Sequence, residues 1–136
     1  MINKKGASMD IPKHLIDTYV QDITVGYFDP EDLPPNDLSG YARCLRNVRI
    51  GARDFGDLDA LKVAFDYLLA HPEIDTEQFA GSRYPYDDEE VREILRYAVA
   101  AIWPGAAPTA PEVLAEVRIV GDLSLDEWRR QRRGQG

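Results

Sequence analysis

Asp87, Asp88, Glu89 and Glu90 follow directly on Tyr84-Pro85-Tyr86, so four carboxylates and two phenols share one short stretch. Such groups can bind the cationic side chains of a partner, ligate a hard cation, or act as paired general acid and base. The spacing lacks the alternation and the glycine of a calcium loop. Nothing in the sequence sets one of the 24 acids apart as buried with a raised pKa, which acid–base catalysis requires. Recognition of cations by an acidic surface is the better reading, with Tyr84 and Tyr86 as rigid contact groups that carry a polar tip. The competing explanation is local. The first turn of a helix favours negative charge by about 0.3–1 kcal/mol per group, because its N–H groups lack partners and its dipole is positive there. One or two acids meet that need. Four in succession repel one another, so the set reads as more than a cap.

Other reactive residues are sparse. His14, His71 and Cys44 have no metal-ligand spacing, and no metal or cofactor is expected. His71 closes a helix, where an imidazole suits the dipole, and Cys44 reads as a small buried hydrophobe between Tyr41 and Val48. A Cys–His nucleophile pair is the lesser alternative. "GARDFG" lacks the Lys-Ser/Thr ending of a phosphate loop. Arg43, Arg46, Arg49 and Arg53 recur every three or four residues. They read as partners for acids on neighbouring helices or as a solvent face. As a nucleic-acid stripe they are few and set in a repelling body.

That body is strongly acidic. The whole chain carries 24 acids and 16 bases, a net −8, but residues 1–9 and 128–136 hold no acid. Residues 10–127 therefore carry 24 acids against 10 bases, a net −14. Such a potential disfavours nucleic acid and membrane surfaces and steers basic partners inward. The longest apolar run, "YAVAAIW", is too short to cross a bilayer. Two lysines near the start have no apolar stretch behind them, so no secretory signal is expected; Met9 is an alternative start. A single cysteine fits a cytoplasmic protein without a disulfide framework.

The elements that must hold these residues are mostly helical. Leu15, Ile16, Tyr19, Val20 and Ile23 predict a first helix, with Asp10 as cap and Pro12 in its first turn. Its end, "DITVGYF", has the β-branched character of a strand as an alternative. "DPEDLPPN" is a connector. A second helix is expected over Asp37–Val48, with Leu38, Tyr41, Ala42, Leu45 and Val48 inward and Gly51 as its stop. Gly40 lies within it, at a cost of about 1 kcal/mol relative to alanine. Leu58, Leu61, Phe65 and Leu68 mark a third helix closed by His71-Pro72, and "IDTEQFAG" permits one helical turn. Val91, Leu95, Ala98 and Ile102 mark a fourth over Asp87–Trp103, ended by Pro104. Beyond the linker "GAAPTAP", Thr109/Glu112 and Ser124/Glu127 have capping-box spacing. "EVRIVG" reads as a lone strand unless "DITVGYF" pairs with it. The expectation is one mainly α domain of four or five helices over residues 10–128, with an optional minor strand pair. A flexible arm (1–9) precedes it, and a basic tail (129–136) follows.

Residues 37–103 resemble the immunity proteins that neutralise nuclease colicins and pyocins. The likeness rests on His71-Pro72 ending one helix, then Tyr84-Pro85-Tyr86, then Asp87 and Asp88, then a helix that reaches Trp103. The family's second tyrosine is replaced by Arg83, the gap after His-Pro is longer, and residues 1–36 and 104–136 have no counterpart. The resemblance implies a small acidic helical inhibitor with Tyr84 as an interface anchor and Asp87 and Asp88 in its acidic segment. The expected function is thus non-enzymatic: holding a basic toxin domain, a nuclease in the family's manner, through Tyr84, Tyr86, Asp87, Asp88, Glu89 and Glu90. The protein would act alone or as a small homo-oligomer. Two alternatives share the composition: an assembly subunit of a phage or other large complex, and a nucleic-acid-mimicking anti-defence protein.

Overall fold

Ile11 and Pro12 are buried, and the backbone here is extended, not helical, so the chain enters the core as a strand. The computed structural model describes residues 9–28 and 33–134. Residues 1–8 of the expected arm, 29–32 of the connector and 135–136 of the tail lie outside the described residues. Strand β1 (Met9–Pro12) leads into α1 (Lys13–Thr24), then α2 (Ala42–Phe55), α3 (Leu58–Ala70), α4 (Asp88–Ile102), a single turn α5 (Pro111–Leu114), β2 (Val117–Val120) and α6 (Leu125–Gly134). The fold is mainly α, with one minor parallel strand pair.

β1 and β2 pair in the register Met9↔Val117 to Pro12↔Val120. The partner of the "EVRIVG" strand is therefore "MDIP" and not "DITVGYF", whose first three residues complete α1. This corrects two further expectations. Asp10 is a strand residue and not the N-cap; α1 begins at Lys13 with Pro12 at the cap position and no side-chain cap there. Met9 belongs to the sheet and not to the arm. An isolated two-stranded ribbon is marginal in water. Here Ile11 (0% exposed) and Val117 pack into the helical core, which gives the pair its stability.

The helices form where the apolar spacing places them. Leu15, Ile16, Tyr19, Val20 and Ile23 of α1, Leu45 and Val48 of α2, Leu61, Phe65 and Leu68 of α3, and Val91, Leu95, Ala98 and Ile102 of α4 are all buried in one cluster. The second helix differs from expectation at both ends. Asp37 caps a preceding 3-10 turn (Leu38–Tyr41) by accepting the Ser39 N–H at 2.9 Å. Gly40 lies in that turn against the Pro35 ring, which leaves no room for a Cβ. Ala42, expected inward, is exposed. α2 then runs past Gly51 to Phe55 and stops at Gly56, whose φ of 76° suits glycine.

At the C-terminal end, where Ser124/Glu127 could open either a helix or a basic tail, the chain is helix from Leu125 through Gly134. Trp128 is buried and donates its indole N–H to the Asp10 carbonyl at 3.1 Å. Arg129 reaches Asp57 at 2.6 Å, and Tyr19 donates to the same carboxylate at 2.7 Å. Asp57 is 0% exposed, so this charge is viable because both oxygens have donors. Burial, foremost, and the neighbouring Asp57 push the Tyr19 phenol far above its ordinary value. Thr109 does not cap α5. Its N–H and hydroxyl both donate to Asp66, at 2.9 and 2.6 Å.

Candidate functional site

Asp87 adopts the extended conformation of an N-cap, and from there the chain turns by about 100° per residue into α4. Four consecutive carboxylates are thereby sent in different directions, and each finds its own partner. Asp87 accepts the Glu90 N–H at 2.8 Å while Glu90 accepts the Asp87 N–H at 2.9 Å, a complete capping box. Asp88 turns inward and accepts the Thr76 N–H at 2.8 Å, the Thr76 hydroxyl at 2.7 Å and Arg92 Nε at 2.9 Å. Those two Thr76 bonds, with smaller help from Arg92, hold the Asp88 carboxyl below its ordinary range. Glu89 forms an exposed pair with Arg96 at 3.3 Å.

Arg92, absent from the sequence-based candidates, is central to this end of the molecule. It is 4% exposed and donates to the carbonyls of Leu68, His71 and Ile74 as well as to Asp88. It thus ties the end of α3, at Leu68, to the loop that follows, at His71 and Ile74. One signal was legible: Asp88 and Arg92 are four residues apart on a single helix.

The phenols divide. Tyr86 is buried, and its hydroxyl lies 2.6 Å from that of Tyr41, also buried. Burial pushes both phenols above their ordinary values. Tyr86 is therefore a core residue and not a contact group, which corrects the expectation. Tyr84 is half-buried, stacked on Phe28 with centroids 5.6 Å apart and planes 10° from parallel. Arg83 donates to the Phe28 carbonyl at 2.9 Å and fastens the same loop.

Two expectations about the quartet therefore need correcting. Asp88 is committed to the fold, and Glu89 already has a cation. Asp87 and Glu90 remain exposed, and their capping bonds come from neutral N–H groups, so their charge is undiminished. They join acids from other segments. Glu77 accepts the Asp88 N–H at 3.1 Å, which sets the 3-10 turn Thr76–Phe79 and its cap Asp75 beside them. Glu93 lies one turn beyond Glu90. Asp75, Glu77, Asp87, Glu90 and Glu93 are exposed, and among the described residues none forms a salt bridge. Two open grooves meet at Tyr86. One, of about 430 Å³, is walled by Glu77, Tyr84, Pro85 and Asp87; the other, of about 180 Å³, by Asp37, Glu90 and Glu93. Asp75 and Glu77 were not singled out in the sequence, because only the docking of the 3-10 turn against α4 brings them to the rim; Glu93, one turn after Glu90 on the same helix, was legible by its spacing.

The arginines of α2 show the opposite pattern. Arg43, Arg46, Arg49 and Arg53 are all exposed. Arg53 contacts its neighbour Asp54 at 3.2 Å, whereas the other three form no salt bridge or hydrogen bond among the described residues. Of the two readings offered for them, the solvent face holds. Arg46 and Arg49 edge a groove of about 240 Å³ floored by Leu45, Tyr97 and Ile102.

Cys44 is buried, and His71 donates through Nδ1 to the Tyr67 carbonyl at 2.7 Å. Among the described residues no group of three or more histidines, cysteines or acids is arranged to hold a metal, and no helix is long and apolar enough to cross a membrane. The chain matches no protein-family model, and no curated protein or solved structure is significantly similar to it.

Proposed function

We propose that this is a non-enzymatic, cytoplasmic binding protein of the immunity type, which captures a basic toxin domain on the acidic rim around Tyr84. The observation that carries the reading is the set of five exposed, unneutralised carboxylates, Asp75, Glu77, Asp87, Glu90 and Glu93, gathered from two segments around two grooves. At the physiological screening length of about 8 Å, charges so grouped act together on an approaching cationic surface. They speed encounter, and the half-buried Tyr84 ring supplies apolar contact once the partner has docked. A nuclease domain is the natural basic partner, since its substrate groove is lined with cations. The resemblance of residues 37–103 to nuclease immunity proteins supports the same choice.

The test exploits the capping box. Asn caps helices as well as Asp, and Gln replaces Glu in the box, so Asp87→Asn and Glu90→Gln remove charge and keep the fold. Combined with Glu93→Gln, they should lower the melting temperature by only a few degrees, through lost attraction to the helix dipole. Association with a basic toxin domain encoded beside the gene should slow by about tenfold at low salt, and growth rescue should weaken. Rescue and association rate both unaltered by the triple change would remove the rim from the mechanism.

A further inference from the structure

The exposed face of α2 concentrates positive charge on a protein whose net charge is −8. Arg43, Arg46, Arg49 and Arg53 span about 15 Å of helix, at 1.5 Å per residue. Ile50 stands among them with 41% of its surface exposed. An arginine left without an anion retains its full capacity for carboxylates, and Arg46 and Arg49 flank a groove with an apolar floor.

The acidic rim is the mirror image: unneutralised carboxylates around a half-exposed aromatic. The arginines edge a groove beside Tyr97, Ala101 and Ile102 of α4, whereas the rim gathers at the start of that helix, so a second copy can offer each set what it lacks. We infer that the arginine face of α2 docks the acidic rim of a second copy of this chain, with Arg46 and Arg49 meeting Glu77 and Glu93. A nucleic-acid strand fits less well. Glu90 and Glu93 stand on α4, the helix whose later residues form the other wall of the groove, and would repel phosphates that continue beyond α2. A carboxylate-bearing protein face is finite and avoids that conflict.

Because the two faces differ, the contact is heterologous and leads to short chains or rings rather than a closed two-fold dimer. One helix face buries less area than a stable interface needs, so the association is weak and sensitive to salt. The inference shares the acidic rim with the toxin-binding reading but does not require the toxin. It adds a consequence: self-association and toxin capture exclude one another.

Sedimentation of the purified full chain tests it. At about 20 mM salt the mean mass should rise with protein concentration, and it should return to the monomer at about 500 mM, where the screening length falls toward 4 Å. Two charge-swapped variants then decide the contact. Arg46→Glu/Arg49→Glu places carboxylates on both sides of the contact, and Glu77→Arg/Glu93→Arg places arginines on both. Each alone should stay monomeric at every salt, whereas a mixture should assemble in alternation. A monomeric wild type at low salt, or variants that associate no better mixed than apart, overturns the inference. So does binding of a short RNA oligonucleotide that Arg46→Glu/Arg49→Glu abolishes while the protein itself stays monomeric. Toxin rescue is read separately, so either proposal can fail without the other.

Discussion

The start of α4 and the outer face of α2 both carry four like charges, yet the molecule uses them in opposite ways. At α4 the carboxylates are consecutive, and helical rotation sends them to a capping partner, to Thr76 and Arg92, and to Arg96. Along α2 the arginines are spaced at three and four residues, and rotation keeps them on one side, facing outward. Crowding in the sequence thus dispersed charge in space, and spacing in the sequence gathered it. Whether a charged cluster is vacant depends on the direction in which each side chain leaves its helix.

If that contrast is sound, substitutions at the two places should differ sharply in their cost to stability. Arg92→Ala is the most severe case. It removes a buried guanidinium shared by three carbonyls and Asp88 and should cost about 3–5 kcal/mol in urea unfolding. Asp87→Ala removes half of the capping box and should cost about 0.5–2 kcal/mol, whereas Asp87→Asn should be close to neutral. Acidification gives a smaller effect of definite sign. Asp88 is held below its ordinary value mainly by its Thr76 bonds. At Asp66 burial raises the carboxyl, but Lys62 and Thr109 together outweigh it and leave it lowered. Both groups therefore contribute stability that is complete above about pH 4, their unfolded range, and is lost as pH falls through their lower folded values. The urea midpoint should fall as pH drops from about 4 toward 2, less steeply in Asp88→Asn; equal slopes would contradict the role given to Asp88. At the other extreme, Arg46→Gln and Arg49→Gln should change stability by less than about 0.5 kcal/mol, because nothing in the fold leans on them. A cost of 2 kcal/mol or more there would show that these arginines have partners within the chain.

Much of the architecture was legible in advance, because helical burial has a short period. Leu61, Phe65 and Leu68 could be placed inward from their spacing alone, and Cys44 from its neighbours on the second helix. The misplacements share one cause. β1 was read as the start of a helix because its partner lies 108 residues away, at Arg118 opposite Asp10. The arginines after Trp128 were read as a tail because the acid that holds Arg129, Asp57, is 72 residues earlier in the chain. Tyr86 was read as a contact group, but its hydroxyl is matched by that of Tyr41, 45 residues before it. Two rim acids were missed for the same reason: Asp75 and Glu77 join Asp87 only when the short turn packs on α4.

Composition and periodicity by themselves determined that this is an acidic, mainly helical protein, and which apolar residues form its core. These properties depend on residues within one or two turns of each other. Only the tertiary structure decided which charges were satisfied and which were left facing water. Neutralisation requires two side chains to meet within a few ångströms; Asp88 and Arg92 do so along one helix, but Asp57 and Arg129, or Asp10 and Arg118, come from segments that the linear order keeps apart.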